Sequence, residues 1–411
     1  MHIKLHKSKV KTNNNISITG SKSESNRLLL LQALFPSLQI DNLSNSDDSQ
    51  LMQKALVNKT KVVDIHHAGT AMRFLTAFFS IQNNLEVKLT GSSRMQERPI
   101  AILVDALKSL GADIQYVNNI GYPPISIKGK KLTKSKVTLK ANVSSQYISA
   151  LLLIAPKLEN GIELNLEGKI TSIPYINMTL SLLNQIGVET SFIGNVIKVK
   201  SMQGGLKINN LVVESDWSSV SYFYSIIALS SLDTQITISS YSKQSLQGDS
   251  VLVDIYKHFG VETVFKEHSI TIIKKAQANK DTLKLDLSNA PDIAQTIAVT
   301  CLGLKIPCEL IGLHTLKIKE TDRLVALKTE IEKFGTKVNI TDASLSINKF
   351  EKLNSDVYVD TYHDHRMAMA FAPLALHKEF IINDANVVSK SYPDFWSDLA
   401  KIGFETSYLK K

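Results

Sequence analysis

The sequence predicts an internally repeated α/β fold, and three observations carry the prediction: a helix ending that recurs, the strand that follows it, and the spacing between copies. Val104–Gly111, Leu180–Gly187, Val253–Gly260 and Trp396–Gly403 each place apolar residues at i, i+3 and i+6 and then a glycine. Lys328–Gly335 repeats the pattern with one apolar position replaced. Each reads as the last two turns of an amphipathic helix, with Gly as the left-handed residue that ends it. Behind three of these glycines stand Val188–Phe192, Val261–Phe265 and Phe404–Tyr408, alternating segments rich in β-branched and aromatic residues, hence strands.

The glycines lie 76, 73, 75 and 68 residues apart, so the 411-residue chain holds about six units, each strand-helix-strand-helix-strand. That period exceeds the ~20–50 residues of solenoid repeats and fits a small α/β unit reused to build compact domains. Chance recurrence is the plainer alternative; three copies of glycine-apolar-Glu-Thr in the same place argue against it. The first unit, around Leu51–Val63, lacks the glycine and is expected to be degenerate.

Composition narrows the function. Hydrophobic residues make up 44% and charged residues 21%, which excludes a disordered or fibrous chain. The longest apolar stretches, Leu28–Leu31 and Met367–Leu376, fall short of the ~20 residues of a membrane helix. The first residues lack the apolar core of a signal peptide, so a cytoplasmic protein is expected. Cys301 and Cys308 lie in one apolar run at a spacing that fits no metal motif, and buried packing is the expected role of both. The net charge of +9 suits nucleic acid or small anions equally. The only dense basic cluster, Lys128–Lys136, reads as a solvated hairpin, which speaks against nucleic acid.

Polar segments recur at predicted helix starts. Gly20–Arg27 opens a helix with Lys22, Ser23 and Arg27, an arrangement able to hold an anion or simply to cap the helix. His66–Leu75 repeats it with Gly69, Thr70 and Arg73. Arg98 precedes Pro99, whose fixed φ favours a first helical turn, so Arg98 is also expected at a helix start. Ser144, Ser145 and Gln146 begin another helix, and Ser172 with Tyr175 the next; taken singly, capping explains each pair. Further on, Asp292 heads an apolar helix, where the dipole favours an acid. Lys319–Arg323 places Lys319, Glu320 and Arg323 between apolar neighbours, Tyr362–Ala370 contributes Arg366, and Lys390 precedes Ser391–Phe395. Arg323 and Arg366 are forks suited to carboxylate or phosphate.

Taken together, GSKSESNR, AGTAMR, MQERPI, SSQ, SIPY, APD, KETDR, YHDHRMAM and KSYPDF occur from Gly20 to Phe395 in an order that resembles the EPSP synthases. The resemblance implies two similar domains, each of three βαβαββ units forming an inside-out α/β barrel, the first unit here truncated. One domain would be residues 20–213 and the other 1–19 with 214–411, with the active site in the cleft between them. The implied reaction transfers the enolpyruvyl group of phosphoenolpyruvate to the 5-hydroxyl of shikimate 3-phosphate. It uses no cofactor and no metal, and the family suggests a monomer. By resemblance, Ser23, Arg27, Ser144, Ser145, Ser172, Tyr175, Asp292 and Lys319 hold shikimate 3-phosphate, with Gln146 between the substrates. Lys22, Gly69, Arg98 and Lys390 would bind the phosphate of phosphoenolpyruvate, and Arg323 and Arg366 its carboxylate. Lys22, Asp292 and Glu320 are the implied catalytic residues, Asp292 taking the proton of the 5-hydroxyl and Glu320 handling the proton at the methylene.

Departures from the family pattern carry their own expectations. Thr315 and His67 stand where asparagine is usual. Phe74 stands where proline is common and is expected to tilt the helix carrying Gly69. Glyphosate should compete with phosphoenolpyruvate if the space at Gly69 stays open. A UDP-N-acetylglucosamine enolpyruvyl transferase and a catalytically idle anion binder of the same fold are the rival readings. The former uses a loop cysteine, whereas both cysteines here lie in an apolar run; the latter would not release phosphate. The absence of a transit segment favours a bacterial source.

Overall fold

The computed structural model describes all residues except 58–59, 141–143, 169, 203, 351–352 and 410–411. Two compact units form: Gly20–Val213, and Met1–Thr19 together with Glu214–Lys411. Gly20 packs against Asn42 and Val213 so closely that a Cβ would overlap both, which ties the two ends of the Gly20–Val213 unit together.

One topology builds both units. In the clearest copy a strand, Val62–Asp64, leads through the helix Gly69–Ser80 to a parallel strand, Glu86–Thr90. The helix Ala101–Leu110 then leads to the hairpin Asp113–Tyr116 and Ile125–Lys128, whose second strand inserts beside Glu86–Thr90. The same order, strand 1-2-4-3, recurs in the sheets starting at Lys136–Lys140 and Leu283–Asp286. In two further sheets the N-terminal segment supplies a strand: Asn14–Ser17 is the first strand beside Gln235–Ser239, and His2–Leu5 lies between Phe380–Ile382 and Thr406–Leu409. The sixth sheet is only the parallel pair Gln39–Asp41 and Asn210–Val212. After it, the helix Asp47–Val57 runs on to the strand of the next sheet, Val62–Asp64. This is the truncated unit, and among the described residues it has no hairpin.

The sheets alternate one buried and one exposed face, as in Glu86–Thr90, while the crossover helix Gly69–Ser80 is buried at all twelve positions. Helices therefore fill the interior and strands face outward, which explains why crossover helices read as apolar all round. All five repeat glycines have positive φ, from 72° at Gly260 to 109° at Gly111, as helix ends require. The segment before Gly260 is not one α-helix, however: 3-10 turns flank the four-residue helix Leu252–Ile255. Nor do Lys128–Lys136 form a hairpin. The segment joins two different sheets, ending one at Lys128 and starting the next at Lys136, and its lysines are exposed. Cys301 and Cys308 are buried and free. Among the described residues, no helix is long and apolar enough to cross a membrane.

Candidate active site

The repeat delivers most of the candidate residues to the starts of helices. In the Gly20–Val213 unit Lys22 opens the helix Lys22–Leu34, and its Nζ lies 3.7 Å from Asp48 of the following helix. His67 Nε2 approaches the other oxygen of the same carboxylate at 3.6 Å, so the residue in the usual asparagine place shares the partner of Lys22.

Arg98 is placed differently from expectation. The helix after it starts only at Ala101, because Glu97–Ile100 forms a turn between that helix and the short helix Ser93–Gln96. Its guanidinium instead covers the start of Gly69–Ser80: a Cβ on Gly69 would stand 2.5 Å from Arg98 Nη1. Glycine is needed here for close approach, and the space beside it is filled by Arg98. Among the described residues no ion pair or side-chain hydrogen bond occupies that guanidinium, and Nε is buried without a partner. The turn is fixed from behind. Pro99 O accepts Tyr147 Oη at 2.6 Å and Arg73 Nη2 at 3.3 Å, and Arg73 Nη1 donates to Gly69 O at 3.0 Å.

Phe74 causes no break, since the helix runs unbroken to Ser80 with the Phe74 ring fully buried. The Arg27 guanidinium lies over that ring, 5.5 Å from its centroid. Arg27 is itself a strut. It donates to Thr179 Oγ1 (2.8 Å), Ser23 O (2.6 Å), Ser149 Oγ (3.1 Å) and Tyr175 O (3.2 Å), binding three helices together. Burial, opposed by Tyr175 and Glu24, brings it down to about 10. Little of its fork remains for a ligand.

Hydroxyls surround this frame. Ser144 caps the helix Ser145–Ile154 by accepting Gln146 N, and Gln146 Nε2 reaches Thr70 Oγ1 at 3.1 Å. Ser172 caps Ile173–Gln185 from a left-handed conformation, φ 55° and ψ 39°, without a side-chain capping bond. A non-glycine residue there is strained, and its hydroxyl is left for other use.

The second cluster lies wholly within the other unit. Asp292 sits in the turn Pro291–Ile293 before the helix Ala294–Leu304. Three cations surround it: Arg323 Nη1 at 2.8 Å, Lys319 Nζ at 3.4 Å and Arg366 Nη2 at 3.7 Å. Burial alone would raise this carboxyl, but Lys319, Arg366 and Arg323 together hold it well below the usual carboxylate range. Burial lowers Lys319, against the pull of Asp292. Arg323 is 2% exposed and carries two more carboxylates, Glu320 at 2.7 Å and Asp364 at 2.6 Å. Burial would lower it, yet Asp364, Glu320 and Asp292 raise it above the ordinary arginine value. Asp364 also caps the helix His365–Phe371 through Arg366 N. Arg366 donates to Asp292 O at 3.0 Å and Ser218 Oγ at 3.2 Å. Lys390 Nζ donates to His363 O at 2.7 Å. Thr315 Oγ1 is buried without a hydrogen-bond partner, so the hydroxyl in the second asparagine place is left unpaired among the described residues.

This geometry is that of a device for polyanions: prearranged cations in one unit, and in the other a carboxylate held ionised beside an acid on a shared arginine. A family model described as EPSP synthase (3-phosphoshikimate 1-carboxyvinyltransferase) matches residues 53–399. The chain belongs to the EPSP synthase family. It is 46% identical over 393 residues to the 3-phosphoshikimate 1-carboxyvinyltransferase of Bacteroides fragilis strain YCH46, covering 95% of both chains. The enzyme of that name from Colwellia psychrerythraea is 37% identical over 426 residues, covering 95% of this chain and 97% of its own. Among solved structures, an EPSP synthase from Acinetobacter baumannii superposes with a TM-score of 0.79 at 18% identity, over 99% of this chain and all of that one. The enolpyruvyl transferase NikO from Streptomyces tendae gives 0.74 at 13%, over all of this chain and 99% of its own; at these identities the two structures speak for the fold. Within the EPSP synthase fold the sequence motifs left three residues unassigned, Asp48, Asp364 and Ser218, and marked Arg73 only as an arginine near a helix start. Asp364 stands inside a quoted motif, but nothing local marked it as the buried anchor of Arg323.

Proposed function

We propose that this chain transfers the enolpyruvyl group of phosphoenolpyruvate to the 5-hydroxyl of shikimate 3-phosphate and releases inorganic phosphate. The observation that carries the proposal is the Asp292 carboxylate, ionised among Lys319, Arg323 and Arg366, with Glu320 on the same arginine.

In the forward reaction the 5-hydroxyl oxygen bonds to C2 of phosphoenolpyruvate, its proton passing to Asp292, while C3 gains a proton from Glu320. Glu320 then takes a proton back from the methyl group of the tetrahedral adduct as its C2–O bond to phosphate breaks, and the departing phosphate takes up the proton held by Asp292. Enol ether and phosphate leave, and both carboxyl groups return to their starting states. In the free enzyme three cations make Asp292 a weak base. Substrate anions that take up Lys319, Arg323 and Arg366 return basicity to it, so the base strengthens only when the substrates are present.

The other cluster neutralises charge. Each phosphate brings roughly −1.5 to −2 near neutral pH. Lys22, at the start of its own helix, and Arg98, beside Gly69, receive the phosphate of phosphoenolpyruvate, together with Lys390. Arg366, with what remains of Arg323, receives its carboxylate. Ser144, Ser145 and Ser172 receive the phosphate of shikimate 3-phosphate, with Ser23, Gln146 and Tyr175 against the rest of the molecule. Arg27 supports this frame from within. Prearranged donors of this kind lower the barrier without reorganising as charge develops.

The test is phosphate release from phosphoenolpyruvate, alone, with shikimate 3-phosphate, and with UDP-N-acetylglucosamine. Release only with shikimate 3-phosphate is expected. Release with the sugar nucleotide instead, or with neither, contradicts the proposal.

A further inference from the structure

Behind Arg366 lies a carboxyl group that the reaction does not use. Asp249, in the turn Gly248–Val251, is 3% exposed. It accepts from the Ser218 hydroxyl, and its Oδ1 is buried without a hydrogen-bond partner. Ser218 Oγ in turn accepts Arg366 Nη2, so Arg366 faces Asp292 directly and Asp249 through one hydroxyl. The charged groups around Asp249 are Asp292, Arg366 and Asp216, the last already holding Ser219 N as a helix cap. Burial and then Asp292 push the Asp249 carboxyl up to about 7, against Arg366 and the Ser218 bond.

We propose that Asp249 is a positioning residue whose protonation state, relayed through the Ser218 hydroxyl, sets how much of the Arg366 charge is offered to a substrate carboxylate. This rests on the reading that Arg366 receives the carboxylate of phosphoenolpyruvate. Protonated, Asp249 leaves the guanidinium to Asp292 and the ligand. Ionised, it draws the same guanidinium away from both, weakening the grip on the ligand. A buried carboxyl with one oxygen unpaired gains little for stability, which fits a group kept for its electrostatic effect.

The experiment is the KM for phosphoenolpyruvate from pH 5.5 to 9 in the wild type, Asp249→Asn and Ser218→Ala. The second ionisation of the ligand phosphate, near 6, is common to all three, so the difference between profiles is the readout. The wild-type KM is expected to rise about three- to tenfold through pH 7 beyond the rise in either variant, since one charge is added near Arg366. Identical profiles, or one constant factor at every pH, would overturn the proposal and leave Asp249 a packing residue. Thermal unfolding gives a substrate-free check. With a folded-state value above the unfolded one, wild-type stability falls as pH rises from about 4 to 7, and Asp249→Asn removes that slope. An absent slope also counts against the proposal. An Arg366→Gln variant whose KM for phosphoenolpyruvate is unchanged overturns the underlying reading instead.

Discussion

The two units are built on one repeat, yet their helix starts are dressed differently. In the unit containing Glu214–Lys411, aspartates occupy the N-caps of four helices, Asp216, Asp322, Asp364 and Asp394, and Asp292 stands just ahead of a fifth. In Gly20–Val213 the caps are Ser21, Ala68, Ser92, Ile100, Ser144 and Ser172. A helix start attracts negative charge. The unit containing Glu214–Lys411 supplies that charge at the caps themselves, whereas in Gly20–Val213 the acids lie inside the first turns of two helices, as Glu24, Asp47 and Asp48, and the helix starts at Gly69, Ala101, Ser145 and Ile173 carry none. The cations follow the same division. Arg323 holds three carboxylates, whereas among the described residues Arg98 has none. In the proposed reading, one unit handles protons near electrical balance and the other receives anions.

That contrast can be broken deliberately. The largest effect is expected from Glu320→Gln, which keeps the contact with Arg323 but cannot deliver a proton. kcat should fall by about 10²–10⁴, the usual range for a lost general acid, with KM little changed. On the receptor side the pattern reverses. Arg98→Gln should raise KM for phosphoenolpyruvate more than it lowers kcat, by about ten- to a hundredfold for a lost charged hydrogen bond. Gly69→Ala should do the same more mildly, because the methyl group displaces the Arg98 guanidinium.

Arg27→Lys should act on stability rather than selectively on one substrate. A point charge cannot serve the four acceptors that the fork now binds, and chemical denaturation should show a loss of about 2–4 kcal/mol. Ser172→Gly should give the smallest change and of opposite sign. Relief of the left-handed strain adds about 1 kcal/mol of stability, while the lost hydroxyl raises KM for shikimate 3-phosphate.

The fold was legible because its signals are local. A glycine at positive φ and an alternating strand can be read from ten residues, and the spacing then counts the units. What failed also has a local cause: Pro99 suggested a helix start, but the chain needs a full turn after Gln96 before Ala101 can begin one. The short 3-10 and α segments before Gly260 keep helical spacing without being one helix. The site was legible as motifs and not as contacts. Lys319, Glu320 and Arg323 are neighbours in sequence, and Arg323 does hold Glu320. Its two other carboxylates, Asp292 and Asp364, are 31 and 41 residues away. Such pairings depend on how the repeats stack, and no residue pattern encodes them. The same holds for Arg27, whose type suggested a ligand contact while its neighbours from residues 149 to 179 consume it.

The central claim is that the carboxylate-rich cluster performs the proton transfer while the other cluster supplies the binding of anions. Asp292→Asn tests it most directly, with calorimetric binding of shikimate 3-phosphate and single-turnover phosphate release measured on the same preparation. The account predicts binding retained within about tenfold and release slowed by at least about 10². Release at the wild-type rate, or loss of binding together with release, would contradict it.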